Sequence, residues 1–298
     1  MSCLCESFFE PTTGTITHVV ACPVTRRCAI VDSVLDYDAR SGRMTSTSAQ
    51  AVVDWVQAQG LQVEWLLETH AHADHLSAAP WLRQRMGGRI AIGARITEVQ
   101  RTFGLLLNAP DVIAYGAAPE RQPFDHLFQD DESFLIGALP VRAWHTPGHT
   151  PACVSFVVGA PDDPAGLDVF VGDTLFMPDY GSARCDFPGG SATRLYRSVR
   201  RVLALPADTR LHLCHDYPPK TRGPQWQCTV AEQRAHNVHL HEGVGEEAFV
   251  QLRTGRDATL GTPTLLWPSI QMNVRAGHLP PADESGARFV KIPLEDRT

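Results

Sequence analysis

No stretch of the 298-residue chain approaches the ~20 consecutive apolar residues of a membrane-spanning helix. Its start, MSCLCESFFEP, has neither a basic end nor the apolar core of an export signal. A soluble, unexported, cytoplasmic protein is expected. Blocks of about five or six basic residues are also missing, and the formal net charge is -7. Both argue against a nucleic-acid partner, because phosphate binding needs clustered Lys and Arg. The short basic run Arg194, Arg197, Arg200 and Arg201 fits the solvated side of a helix. No long-period repeat and no low-complexity segment is present. Cysteine is too scattered for a disulfide scaffold: Cys3, Cys5, Cys22, Cys28, Cys153, Cys185, Cys214 and Cys228 are spread through a long chain, which points to reduced thiols. Cys3 and Cys5 form a CxC with no second pair at zinc-finger spacing, so a frayed terminus is expected there.

What remains is an ordinary globular composition, 43% hydrophobic and 20% charged. TITHVVAC and RRCAIVDS read as two strands joined by a turn at Pro23. TSAQAVVDWVQAQG carries Val52, Val53 and Val56 at helical spacing and ends on Gly60. VEWLLET, apolar on both faces, reads as a central strand. The alternation continues with a helix over 76–86, the strand RIAIG and a helix near ITEVQRTFG. Short strands then follow one another at SFLIG, LPVRAWHT, ACVSFVVG and DVFVGDTLF, before the helix SATRLYRSVRRVLAL and the strand RLHLCHD. Strands in two groups with helices beside both suggest two sheets between helix layers. Three loops are rich in Gly and Pro. GAPDDPAG reads as a hairpin tip, whereas PDYGSARCDFPGG and DYPPKTRGP each follow a candidate ligand and read as the walls of a site.

The stretch THAHADHLSA places His70, His72, Asp74 and His75 in a loop that leaves a buried strand, so several metal ligands can converge there. His70 and His72 sit two apart, while Asp74 and His75 turn the other way as a helix begins, which leaves room for two metal pockets. WHTPGHT, FVGDTLF and LHLCHDY put His149, Asp173 and His215 at the ends of further strands, and ligands at strand ends converge above a sheet. A looser set, His236, His239 and His241, reads as a solvated face.

These four pieces, in this order, resemble the metallo-β-lactamase superfamily over roughly residues 14 to 235. The resemblance implies an α/β fold, the metallo-β-lactamase-like αββα sandwich of two mixed β-sheets flanked by helices. It implies one domain over 1–298, with a core of about 14–235 and a C-terminal extension of about 236–298. It further implies one site from His70, His72 and His149 and a second from Asp74, His75 and His215, with Asp173 able to bridge them. His145 of the HTPGHT segment would then support the ligands from behind.

The fold alone does not choose the reaction. Arg184, Cys185, Asp186 and Phe187 look like the GRTDF stretch of the persulfide dioxygenases, the ethylmalonic encephalopathy protein family, and Cys214, His215, Asp216 and Tyr217 are similar to its AHDY segment. Glyoxalase II carries GR-x-FEG and HEY instead. NVRAGHLPP resembles the NMRCG region of the same dioxygenases, with no evident chemical role. That resemblance implies one Fe(II) per chain on His70, His149 and Asp173, oxidation of glutathione persulfide or a related small persulfide by O2 to sulfite and the thiol, and a substrate pocket with Arg184 and Tyr217. The sequence departs from the family at Ser182, where the human-type proteins have cysteine, and in the MPDYGSA insert. The alternative is a zinc hydrolase of the glyoxalase II or β-lactamase-like type, because His72, Asp74, His75 and His215 keep a second pocket intact. Cys153 and Cys214, close to His149 and His215, read as small buried hydrophobes. TLLWPSIQM in the extension either packs on the core or forms a homodimer contact.

Overall fold

Side chains that alternate along the strands separate into three apolar layers. In the computed structural model, which describes residues 2–160 and 166–294, Val19 and Ala21 face one layer and Val20 and Cys22 another. Cys28 and Ile30 divide from Ala29 and Val31 in the same way, as do Ile90 and Ile92 from Ala91. The middle layer, with Trp65, Leu67, Phe128, Val141, Phe156 and Phe170, lies between two six-stranded sheets.

The first sheet runs in the order Leu4–Glu10, Thr15–Ala21, Arg27–Val31, Gln62–Leu67, Arg89–Gly93 and His126–Phe128. Its first three strands pair antiparallel and the rest parallel. The second runs Glu132–Ile136, Leu139–His145, Val154–Val158, Asp168–Phe170, Arg210–His212 and Gln227–Thr229, with one parallel pair, Asp168–Phe170 beside Arg210–His212. The helices α1 (Thr47–Ala58), α2 (Ala79–Met86), α3 (Ile96–Leu106) and α4 (Pro110–Ala117) cover the first sheet. α5 (Ala192–Leu203), α6 (Val230–His236) and α7 (Glu246–Asp257) cover the second. α8 (Leu266–Asn273) returns to the first layer, where Leu266 and Ile270 are buried. The expected αββα order is present, and TLLWPSIQM packs on the core.

Three expectations change. The amino terminus is not frayed: Leu4–Glu10 pairs along its whole length with Thr15–Ala21. There the Cys3 thiol lies 3.2 Å from Asp168 Oδ2, and Cys5 Sγ lies 3.7 Å from His212 Nδ1. The run after His75 opens as a two-residue strand, Leu76–Ser77, and only then becomes α2, because Ser77 is drawn into pairing with Val34. His239 is not on a solvated face. It is buried, and its Nδ1 accepts from the Ser182 backbone N–H at 3.1 Å. Residues 161–165 of the GAPDDPAG loop lie outside the described residues, and the expected hairpin tip with them.

The loop that carries His149 is seated directly on α5. Gly148 has φ +151, and a Cβ there would lie 2.3 Å from Leu195 Cα. The Ser191 N–H donates to the Gly148 carbonyl at 2.8 Å, and the Ser198 hydroxyl to the Pro147 carbonyl at 2.7 Å. Gly148→Ala therefore forces the loop off the helix. A loss of about 3 kcal/mol is expected, at the upper end of overpacking costs, together with weakened metal retention. A urea midpoint and metal content equal to wild type would contradict this seating.

Candidate metal centre

Four loops leave the same ends of their strands and meet. His70 follows Gln62–Leu67, His149 follows Leu139–His145, Asp173 follows Asp168–Phe170 and His215 follows Arg210–His212. Cross-bonds between the sheets fix the loops: the Val154 N–H donates to the Thr69 carbonyl at 2.9 Å, and the Ile16 N–H to the Cys214 carbonyl at 2.7 Å. At Gly172, φ is +52 and a Cβ would stand 2.5 Å from Thr69 Oγ1. Only a glycine there lets the Asp173 loop reach His70.

The ligating atoms form two groups. In one, His70, His149 and Asp173 lie within 4.8 Å of one another; in the other, His72, Asp74, His75 and His215 do so. Asp173 faces both. Its Oδ2 is 3.8 Å from His70 Nε2 and 3.6 Å from His149 Nε2, while its Oδ1 is 3.5 Å from His215 Nε2. His215 Nε2 also lies 3.1 Å from Asp74 Oδ2.

Each ring is held by one nitrogen and offers the other. His149 Nδ1–H donates to the Arg184 carbonyl at 2.8 Å, His70 Nδ1 lies 3.0 Å from Thr69 Oγ1, and His72 Nε2–H donates to Asp32 Oδ1 at 2.9 Å. His75 and His215 turn their Nδ1 atoms to Thr15 Oγ1, at 3.3 and 3.4 Å. His72 Nδ1, His75 Nε2, His215 Nε2 and Asp173 Oδ1 are left buried with no hydrogen-bond partner. Such orphans are rare in a folded interior, and a metal ion is the group that all four atom types accept. The residues present therefore fit the metal that the sequence implies.

The electrostatics agree for His70, His149 and His75 but not for His72. Burial pushes His70 well below its ordinary value, lowers His149 to about 4 and lowers His75, which keeps three rings neutral, the form a metal requires. Burial, with Asp74 close by, raises the Asp173 carboxyl to about 6, although the His215 ring pulls it the other way. An isolated buried carboxylate of this kind is stabilised by a cation. Burial works against the charge on His72, but Asp32 and Glu68 outweigh it and hold that ring well above its usual value.

Several supporting residues had gone unrecognised in the sequence. Asp32 sits at φ +53 just past a strand end and accepts from the Thr69 N–H at 2.8 Å, the Thr69 hydroxyl at 2.9 Å and His72. Its place in IVDS, a carboxylate ending an apolar strand, repeats the pattern of Asp173 and could have exposed it. Asn273, in the NVRAG segment, donates from Nδ2 to the carbonyls of His72 and His75 at 2.9 and 2.8 Å, while its Oδ1 accepts from the Ser77 N–H at 2.9 Å. That segment has a structural role after all: it clamps the metal loop from the far end of the chain. Cys214 lies within 4.8 Å of the ligating atoms of Asp173 and His215, and burial keeps it a thiol. Cys153, pushed up to about 12 by burial, accepts from the Thr150 N–H at 3.3 Å. His145 Nε2–H donates to the Phe128 carbonyl at 2.8 Å rather than to a ligand of either group.

A cavity of about 230 Å³ opens on His149 and Asp173, walled by Arg184, Phe187, Tyr217, Arg253 and Arg256 among others. Arg184 and Tyr217 both border this cavity. The Arg184 fork is already engaged, however: Nε and Nη2 each donate to Asp186 at 2.6 Å, and Nη1 donates to the Gly261 carbonyl at 2.7 Å. Tyr217 stacks on His215, with ring centroids 5.7 Å apart and planes 4° from parallel. It also borders a larger cavity of about 750 Å³ on the Asp74 and His75 side. The Asp216 carboxylate accepts from Arg222 at 2.6 and 2.9 Å, tying down the loop that follows it.

Comparison with known proteins agrees with this geometry. The sequence profile of the metallo-beta-lactamase superfamily matches residues 17–215. A probable metallo-hydrolase of Burkholderia pseudomallei is 53% identical over 97% of this chain and 98% of its own length. Glyoxylase B2 of Dictyostelium discoideum is 45% identical over 97% and 96%. Human mitochondrial persulfide dioxygenase ETHE1 is 26% identical over 92% and 89%. The crystal structure of ETHE1 from Myxococcus xanthus shares the fold, with a TM-score of 0.70 at 24% identity over 92% of this chain and 100% of the other.

Proposed function

The chain belongs to the metallo-β-lactamase superfamily, and from that premise we propose that it is an iron-dependent persulfide dioxygenase. The observation that carries the reading is the composition of the group beside the smaller cavity: two histidines and one carboxylate, His70, His149 and Asp173, with His72 falling into the other group. Two histidines and one carboxylate on one face are the arrangement of non-haem Fe(II) oxygenases, which leaves positions open for substrate and oxygen. Bound there, iron supplies the activation of O2.

The protein's own residues do the rest. Neutral His70 and His149 with the single Asp173 carboxylate would hold Fe(II) with a net positive charge, a balance that would favour an anionic persulfide sulfur in the cavity. Phe187, edge-on to His149 at 5.4 Å, together with Tyr217, walls the cavity and limits water. The overall change is RSSH + O2 + H2O → RSH + sulfite + two protons: the S–S bond breaks, the terminal sulfur is oxidised, and O2 takes up the electrons. The dioxygenase signature in the human relative's name supports the reading.

A second reading, a dinuclear zinc hydrolase, is favoured by one feature. The group His72, Asp74, His75 and His215 is complete and shares Asp173 with the first; the relatives at 53% and 45% identity carry hydrolase and glyoxylase names. Metal content and oxygen uptake separate the two. About one iron per chain and O2 consumption with glutathione persulfide are expected; two zincs, no oxygen uptake and cleavage of S-lactoylglutathione would replace this reading by the hydrolase. His75→Ala sharpens the count: bound iron should stay near one per chain, whereas a fall from two metals to one would favour the hydrolase.

A further inference from the structure

A further set of metal-ligating side chains lies where Leu4–Glu10, the edge strand of the first sheet, is brought against the second sheet. The ligating atoms of Cys5, His18 and His212 are within 4.8 Å of one another, and none of the three belongs to the group of His70 or the group of His72. They come from three strands, Leu4–Glu10, Thr15–Ala21 and Arg210–His212. Hydrogen bonds fix both rings in one tautomer. His212 Nε2–H donates to Asp168 Oδ1 at 2.8 Å, which leaves the Nδ1 lone pair for Cys5 Sγ, 3.7 Å away. Asp168 is itself held by the Arg210 fork at 2.7 and 2.6 Å and by the Cys3 thiol at 3.2 Å. Phe170 stacks on the His212 ring, with centroids 4.5 Å apart. His18 Nε2–H donates to the Leu213 carbonyl at 2.9 Å, so its Nδ1 also carries the lone pair, where it accepts from the Ser7 hydroxyl at 2.8 Å. Burial lowers His18 to about 3 and keeps that ring neutral. A ring that gives one N–H to a carboxylate or carbonyl and offers its other nitrogen is the way proteins orient a metal-bound histidine.

We propose that Cys5, His18 and His212 form a labile zinc site, separate from the catalytic centre, that ties the amino-terminal strand to the second sheet. It stands whichever reaction the catalytic centre performs. Zinc takes thiolate sulfur at about 2.3 Å and imidazole nitrogen at about 2.0 Å in a tetrahedral array, which sets the two ligand atoms roughly 3.5 Å apart. The 3.7 Å between Cys5 Sγ and His212 Nδ1 is already close to that edge. The Ser7 hydroxyl turns away from His18 Nδ1 to admit the ion, and water takes the fourth position. Without metal, the Cys5 S–H closes the same gap by donating to His212 Nδ1. On binding, the S–H bond breaks, a Zn–S bond forms, one proton leaves to solvent and no electron moves. Burial, with Asp168 beside it, raises the Cys5 thiol to about 12, so zinc competes with a proton. The site therefore fills when zinc is supplied rather than holding the ion through purification. The CxC of the amino terminus lacks a second cysteine pair in the sequence; its partners in space are two histidines from other strands.

The test titrates chelator-stripped full-length protein with Co(II), a spectroscopic stand-in for zinc, and follows near-ultraviolet absorption. The catalytic groups hold the metal by imidazole and carboxylate, so a thiolate-to-cobalt charge-transfer band reports this site. The wild type should show the band, and added Zn(II) should remove it by competition. Cys5→Ser, at a half-buried position on an edge strand, should abolish the band and lower the cobalt bound by about one ion per chain. Cys214→Ser, the thiol beside the catalytic ligands, should leave the band in place. Asp168→Asn, which weakens the group that orients His212, should shift the cobalt midpoint of the band by about 10- to 100-fold. In the unmodified protein, Zn(II) should slow alkylation of Cys5 by about tenfold, because the bound thiolate is no longer free to attack. A wild type without the band, a band that survives Cys5→Ser or disappears in Cys214→Ser, or Cys5 alkylation indifferent to zinc overturns the assignment.

Discussion

Asp173→Ala should yield protein that purifies with less than about a tenth of the wild-type metal and lowers kcat/KM by on the order of a thousandfold, beyond the roughly 10- to 100-fold cost of losing one outer-shell contact. The reason is position. Asp173 turns Oδ2 toward His70 and His149 and Oδ1 toward His215, so its removal takes an anionic ligand from both groups at once. The same change should spare the metal-free fold, because burial already raises this carboxyl to about 6 and disfavours its charge. Wild-type and variant proteins stripped by chelator should therefore melt at similar temperatures, and added iron should raise the melting temperature of the wild type alone, by ligand linkage. Metal-dependent stabilisation of Asp173→Ala equal to wild type would remove Asp173 from the ligand set. Asp173→Asn, which keeps the shape and one carbonyl oxygen, should fall between the two.

The same contrast explains what was legible in the sequence. His70, His149, Asp173 and His215 could be found because each follows a short apolar strand within a few residues, so local pattern and strand-end topology point to one place. The two-sheet order followed from alternation that sorts neighbours such as Ile30 and Val31 into different layers. Contacts supplied from far along the chain were not legible. Asn273 meets His72 and His75 across about two hundred residues, and Arg253 reaches Ser182 across seventy-one; no periodicity announces either. The role expected of Arg184 depends on whether its fork is free, and only the fold shows that Asp186, two residues on, turns back to fill it. The amino terminus misled for a related reason: Cys3 and Cys5 look unanchored until Asp168 and His212 of the second sheet are brought beside them.

Asn273→Ala should weaken metal binding by about 10- to 100-fold without touching a ligand. Asn273 is buried, at 4% exposure, and makes three bonds to one loop: Nδ2 to the His72 and His75 carbonyls, and Oδ1 from the Ser77 N–H. Both donors and the acceptor are needed, which fixes the amide orientation. Alanine leaves two carbonyls and one N–H without partners in a buried setting, at roughly 1 to 3 kcal/mol for each such group where water cannot enter. The loop that runs from His70 to Ser77 then loses the restraint at its far end, and His70, the residue of that loop in the group with His149 and Asp173, shifts with it. Asn273→Asp separates this orientation effect from a simple cavity. It keeps the acceptor for Ser77 but sets a carboxylate against two carbonyls, so it should lose metal at least as severely as alanine despite its matching size. Metal titration of the two variants, alongside their urea midpoints, decides the point: a lower midpoint with unchanged metal affinity would make Asn273 a packing residue, whereas affinity falling further than stability makes it the clamp that sets the ligand geometry.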